Sequence, residues 1–156
     1  KPEDAVFLPQ RPYFPDGPLR DALAYPQPAS SYSDEALRQA LTEALLPQLG
    51  DELDTAGAWG QKLSGGEQQR LAIARVLLRK PSWVFADEAT SALDEAAEKT
   101  LYERLLALVK SGQGALVSIA HRPSVAQFHR SRWTLVRQAE GAPARYRLTQ
   151  EADRTA

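Results

Sequence analysis

Trp83-Val84-Phe85-Ala86-Asp87-Glu88 is a run of four apolar residues that ends on two adjacent carboxylates. An unbroken apolar run of strand length reads as a parallel strand covered on both faces. After it, Asp94 is placed to cap a helix from Glu95 to Lys110, with Leu101, Leu105, Leu106 and Val109 on its inner side and Gly112 and Gly114 to break it. Ala115 to Ile119 reads as a second buried strand. Strand, helix and strand over 82–119 make a βαβ unit, which implies a parallel sheet in an α/β fold.

Upstream, Ser64-Gly65-Gly66 opens a helix that runs to about Arg79 and is ended by Pro81. Before it lie two further helices. Leu19 to Tyr25 is a short one, closed by Pro26 and Pro28. Ser33 is an N-cap candidate with Asp34 and Glu35 in the first turn, followed by Ala36, Leu37, Ala40, Leu41, Ala44 and Leu45 at helical spacing. Residues 48–62 are a polar, glycine-containing connection. At the start, Ala5 to Leu8 reads as a strand stopped by Pro9 and followed by a proline- and aromatic-rich loop to Pro18. Downstream, Ser124 to Phe128 is a short helix candidate, and Trp133 to Val136 with Tyr146 to Leu148 reads as a hairpin through Gly141 and Pro143.

The 156 residues are 43% apolar and 25% charged, ordinary for a globular chain long enough to bury a core. Nineteen basic residues against twenty acidic ones give a net charge of −1. No basic stripe favours nucleic acid as a partner, and no polybasic run favours a lipid surface. With no cysteine there are no disulfides or thiolate metal sites, and two histidines are too few for a histidine-rich metal centre. No apolar run approaches the ~20 residues of a membrane span. The chain begins with Lys1 and contains no methionine, so it is expected to be a piece of a longer protein.

Asp87 and Glu88 fall where the Trp83–Ala86 strand should end, and the carboxyl ends of strands form the ligand crevice of open α/β sheets. An aspartate there can hold Mg²⁺ through water, and a neighbouring glutamate can orient and deprotonate an attacking water. Taken alone, the pair reads equally well as a solvated strand end. In Leu63-Ser64-Gly65-Gly66-Glu67-Gln68-Gln69-Arg70, two glycines free the backbone to approach an anion at a helix N-terminus, and Ser64 adds a hydroxyl donor. By itself that segment reads slightly better as a serine cap with a glycine hinge, since caps vastly outnumber phosphate sites.

Together the two segments decide the matter. The Leu63–Arg70 segment resembles the ABC signature, and Val84-Phe85-Ala86-Asp87-Glu88-Ala89-Thr90-Ser91-Ala92-Leu93-Asp94 resembles the Walker B strand with its D-loop, in the family's order and near its separation. A chance match over about a dozen specified positions is negligible. The chain is therefore identified as a member of the ABC ATPase family. The resemblance implies part of a P-loop NTPase (RecA-like) parallel sheet carrying an ABC helical subdomain. It implies a truncated ATPase domain over residues 1–137, with the helical subdomain at about 19–79 and the core at about 80–137, then a hairpin and tail over 138–156.

The resemblance also supplies roles. Glu88 would be the catalytic base and Asp87 a Mg²⁺ ligand. Gln10, after the first strand, would be the Q-loop glutamine, contacting Mg²⁺ or the attacking water. His121 would be the switch histidine that hydrogen-bonds the γ-phosphate. Ser64, Gly65, Gly66 and Glu67 would contact the ATP held by a partner domain, and Asp94 would lie across the dimer interface near the partner's site. His129 matches nothing and is read as structural. Glu67 stands where the commonest motif has glutamine. No Gly-x-x-x-x-Gly-Lys-Ser/Thr occurs in the 156 residues, and the family would place that loop upstream of Lys1.

Phe7-Leu8-Pro9-Gln10-Arg11-Pro12-Tyr13, Gly17 to Pro26, Ile119 to Ser124 and Phe128-His129 look like the branch of peroxisomal fatty-acyl-CoA transporters and their bacterial fused relatives. That branch implies ATP and Mg²⁺ as cofactors and a transmembrane domain on the same parent polypeptide. It further implies a homodimer of nucleotide-binding domains on the cytoplasmic face of a membrane, bacterial inner membrane included, with no nucleic-acid partner. A soluble ABC ATPase of DNA repair or translation, and a non-enzymatic docking module lacking its phosphate loop, are the alternatives. Exposed sheet edges should make the isolated chain dimerise or leave it partly disordered near 82–119, and MgATP should bind it weakly.

Overall fold

The computed structural model describes residues 4–141 and 143–151. They form two compact units, one ending at His121 and one beginning at Arg122.

In the first unit three parallel strands make one sheet in the order β1 (Ala5–Leu8), β4 (Trp83–Asp87), β5 (Ala115–Ile119). The register aligns Phe7 with Phe85 and Phe85 with Val117. Between β1 and β4 runs a helical segment. Two two-residue strands, β2 (Gly17–Pro18) and β3 (Ala56–Gly57), pair antiparallel and close the part of it that holds the first two helices. The helices are α1 (Leu19–Ala24), α2 (Asp34–Glu43), α3 (Trp59–Lys62), α4 (Gly65–Arg79) and α5 (Glu95–Ser111). The α/β class, the parallel sheet and the helical insertion are those expected from the sequence.

The helix starts follow local chemistry. Ser33 Oγ accepts the Ala36 N–H at 3.1 Å and caps α2. Asp94 Oδ1 accepts the Ala97 N–H at 2.8 Å and caps α5. α4 carries a reciprocal capping box between Ser64 and Glu67. The helical part is held by a dry cluster that includes Leu19, Leu23, Leu37, Leu41, Leu71 and Ile73 around the fully buried Trp59. Trp59 stays satisfied because its Nε1 donates to Gly17 O at 2.8 Å. Truncating any of these leucines to alanine is a cavity mutation that costs about 2–5 kcal/mol.

Two expectations are corrected. The Ala115–Ile119 strand, read as buried, contains no buried residue, and the Trp83–Ala86 strand is covered on one face only. Val84 and Ala86 are buried with the helices, whereas Trp83 and Phe85 on the other face are half-exposed. The neighbouring strands add Phe7, Val117 and Ile119 to that open face, with Phe7 and Ile119 about 60% exposed (60% and 61%). An unbroken apolar run correctly reports two apolar faces, but among the described residues of this unit none covers the second. Gly114 is forced by a close approach, since a Cβ there would sit 1.6 Å from Ser82 O.

The second unit holds a short 3-10 turn, Pro123–Phe128, and an antiparallel hairpin of β6 (Arg132–Arg137) and β7 (Tyr146–Glu151), as read from the sequence. Within it, His129 Nδ1 lies 3.0 Å from Val125 O.

Candidate functional site: a carboxylate–histidine pair at the strand ends

β4 stops at Asp87 because the next residue turns. Glu88 takes a left-handed backbone conformation (φ +51°), uncommon for a residue with a Cβ. Its N–H donates to Ile119 O at 2.9 Å, which ties the turn to the end of β5. Strained residues of this kind cluster at functional sites. The turn brings the Glu88 side chain to His121, two residues past β5, with Nε2 to Oε1 at 3.1 Å. The two differ sharply in environment: the Glu88 side chain is 16% exposed and that of His121 is 92% exposed. Glu88 Oε1 is buried and has no aligned hydrogen bond, so this oxygen keeps a lone pair for a further donor. Asp87 lies half-buried on the open face of the sheet, in register with Ile119.

Gln10 follows β1 and reaches the same edge. Its Nε2 lies 3.5 Å from Ser91 Oγ, at the outer limit of a hydrogen bond. Gln10, Arg11, Gly65, Gln68, Gln69 and Ser91 are among the residues lining a shallow groove of about 350 Å³. Glu88, His121, Gln10 and Asp87 thus gather at the carboxyl ends of three parallel strands, where open α/β sheets bind ligands.

The signature segment is built differently. Ser64 Oγ accepts the Glu67 N–H at 3.3 Å, and Glu67 Oε2 accepts the Ser64 N–H at 2.9 Å. Hydrogen bonding to the carboxylate from Ser64, by its side chain first and its backbone N–H second, holds the Glu67 carboxyl below the usual glutamate range. Both polar side chains therefore serve the start of their own helix, leaving Gly65 on the groove. Gly66 approaches the loop after Glu88 so closely that a Cβ would meet Ala92 O at 3.1 Å. Asp94 is occupied as the cap of α5.

The residue that sequence reasoning missed is Gln69. It is 4% exposed and sits on α4 between the signature glycines and the sheet. The signal was present. Gln69 shares a helical stripe with Ala72, Ile73 and Val76, all buried, so a polar side chain stood in a core position. A second buried polar pair, Thr90 Oγ1 donating to Glu98 Oε2 at 2.8 Å, lies behind the same loop.

The comparisons with known proteins agree with this geometry. The family model described as ABC transporter matches residues 6–91, more than half of the 156. An uncharacterised ABC transporter ATP-binding protein of Synechocystis is 43% identical over 141 residues, covering 88% of this chain and 20% of that protein. The chloroplastic ABC transporter D family member 2 of Arabidopsis thaliana is 37% identical, covering 81% of this chain and 21% of that protein. A solved bacterial Atm1-family ABC exporter with ATP bound superposes with a TM-score of 0.70 at 31% identity, over 82% of this chain and 23% of that one. The chain spans about a fifth of the length of the curated relatives it matches, 20% and 21% for these two. By motif, topology and similarity together, the chain belongs to the ABC transporter family, as a fragment of its ATP-binding domain.

Proposed function

We propose that the chain is the later part of the nucleotide-binding domain of an ABC membrane transporter, coupling ATP binding and hydrolysis to substrate translocation. The observation that carries this is the Glu88–His121 pair at the strand ends, in which the buried Glu88 Oε1 lies 3.1 Å from His121 Nε2 without an aligned hydrogen bond. The domain would occupy residues 1–137, the helical subdomain about 19–79 and the core about 80–137, with 138–156 as hairpin and tail.

The residues present suit MgATP as far as this chain's share of the site goes. Asp87 and Gln10 offer oxygen ligands of the kind Mg²⁺ takes, the aspartate through water. When bound, MgATP supplies the electrophilic phosphoryl group and the metal that neutralises its charge. Glu88, desolvated at Oε1, accepts a hydrogen bond from a water and takes its proton. His121 faces Glu88 through Nε2 at 3.1 Å and is otherwise open to solvent, so its imidazole would be the donor available to phosphoryl oxygens when nucleotide is bound. Ser64, Gly65, Gly66 and Glu67 would contact the nucleotide of a second, identical domain, and Asp94 would lie near that interface. The phosphate loop would come from sequence preceding this chain. A transmembrane domain of the same polypeptide would meet the surface around residues 10–25, on the cytoplasmic side of a membrane.

The test is Mg²⁺-dependent ATP turnover by the parent polypeptide reconstituted in lipid vesicles. Turnover that depends on Mg²⁺ and responds to transported substrate is expected. Absence of turnover would leave only a docking module, and a parent without about six spanning helices would leave only a soluble ATPase.

A further inference from the structure

The Gln69 carboxamide is fully used. Nε2 donates toward Ser91 Oγ at 3.0 Å and shares its hydrogens with Gln10 O and Glu88 O, both at 3.3 Å. Oε1 accepts the Ala92 N–H at 2.9 Å. That set fixes the orientation of the amide, because an N–H on one side and two carbonyls on the other leave no alternative. The four partners lie on two loops remote in sequence, one after β1 and one after β4. With 4% exposure, water cannot replace the amide at these contacts.

The position matters as much as the bonds. Gln69 sits about one helical turn beyond Gly65 and Gly66 on α4. One end of α4 is the signature, and one turn later the same helix grips the backbone of Gln10 and Glu88. We infer that Gln69 is a positioning residue that clasps the Gln10 loop, the Glu88 turn and the Ser91–Ala92 segment to the signature helix, so that displacement of α4 by a partner's nucleotide moves the hydrolytic groups of this chain. This inference rests on the ATPase reading above. It assigns the link between the two nucleotide sites of a dimer to one side chain. An apolar residue of the same size fills the space but leaves two carbonyls, a hydroxyl and an N–H without this partner.

The test uses the parent polypeptide with Gln69→Leu and Gln69→Glu. For Gln69→Leu, kcat falls about tenfold to a hundredfold, the cost of a slightly misplaced reacting group. KM for MgATP changes less than kcat, because the clasp acts mainly on the placement of the reacting groups. Amide exchange accelerates at residues 8–14 and 88–92 and stays unchanged along 71–79. Gln69→Glu is isosteric and keeps the acceptor for the Ala92 N–H but loses the amide donors to Gln10 O, Glu88 O and Ser91 Oγ, so its kcat falls in the same direction. Turnover of Gln69→Leu within about twofold of wild type would overturn the inference. So would exchange that accelerates equally along all of α4, which marks general loosening rather than a lost clasp. If the wild-type parent hydrolyses no ATP, the proposed function fails, yet the exchange arm still decides the clasp: unchanged protection at 8–14 and 88–92 refutes it.

Discussion

His121 Nε2 lies 3.1 Å from Glu88 Oε1, and the two reach each other only because Glu88 abandons the strand conformation one residue after Asp87. The backbone of Glu88 is pinned to Ile119 O, so the ends of β4 and β5 cannot separate without breaking that 2.9 Å bond. The histidine is positioned by the sheet but held by little else, in keeping with its 92% exposure. His121→Ala in the parent should therefore leave stability nearly unchanged. Its kcat should drop on the order of 10²–10³-fold, as for loss of one donor to a transition state. Equal drops in kcat and thermal stability would contradict this.

Glu67 makes a pH-dependent contribution whose sign follows from linkage. Its carboxyl is held below the ordinary value of 4.5 in the folded chain by the bonds from Ser64. The stabilisation is thus present above the unfolded pKa and is lost as pH falls through the folded one. Amide protection in the first turn of α4 should decline in acid below about 4.5 in wild type and much less in Glu67→Gln. The same substitution removes a negative charge from the positive end of a helix, worth about 0.3–1 kcal/mol. Apparent MgATP affinity of the parent should rise, by less than about tenfold. A weaker affinity would show that the carboxylate assists nucleotide binding.

Three glycines give a graded series. At Gly114 a Cβ would overlap Ser82 O at 1.6 Å, at Gly66 it would press on Ala92 O at 3.1 Å, and at Gly60 nothing lies within 4 Å. Gly114→Ala should destabilise by about 3 kcal/mol or more. Gly66→Ala should shift the loop after Glu88 and reduce turnover with a smaller loss of stability. Gly60→Ala should be neutral or slightly stabilising. Thermal melts of the three variants check the order, and a reversed order would show that the backbone relaxes at Gly114 without cost.

The open sheet face predicts behaviour of the isolated chain. Phe7, Phe85 and Val117 lie in one register row, with Ile119 beside them. Light scattering should show self-association at micromolar concentration, suppressed by Phe7→Lys with Ile119→Lys. A monodisperse wild-type monomer would contradict this.

These particulars explain what could be read in advance. The caps Ser33, Ser64 and Asp94 were legible because capping is settled within four residues. The parallel sheet was legible because 82–119 alternates strand, helix and strand. The single-sided cover of β4 was not, since the apolar run states what the strand can bury and not what is there to bury it. Gln69 was not read either. Its meaning lies in Gln10, Glu88 and Ser91, which converge only in three dimensions.

Everything proposed for the site turns on Glu88 as the group that activates water. The direct measurement is MgATP turnover and MgATP binding by the parent polypeptide carrying Glu88→Gln, which keeps the shape and removes the base. Turnover should fall on the order of 10²–10⁴-fold with binding retained. Turnover equal to wild type would remove Glu88 from the chemistry.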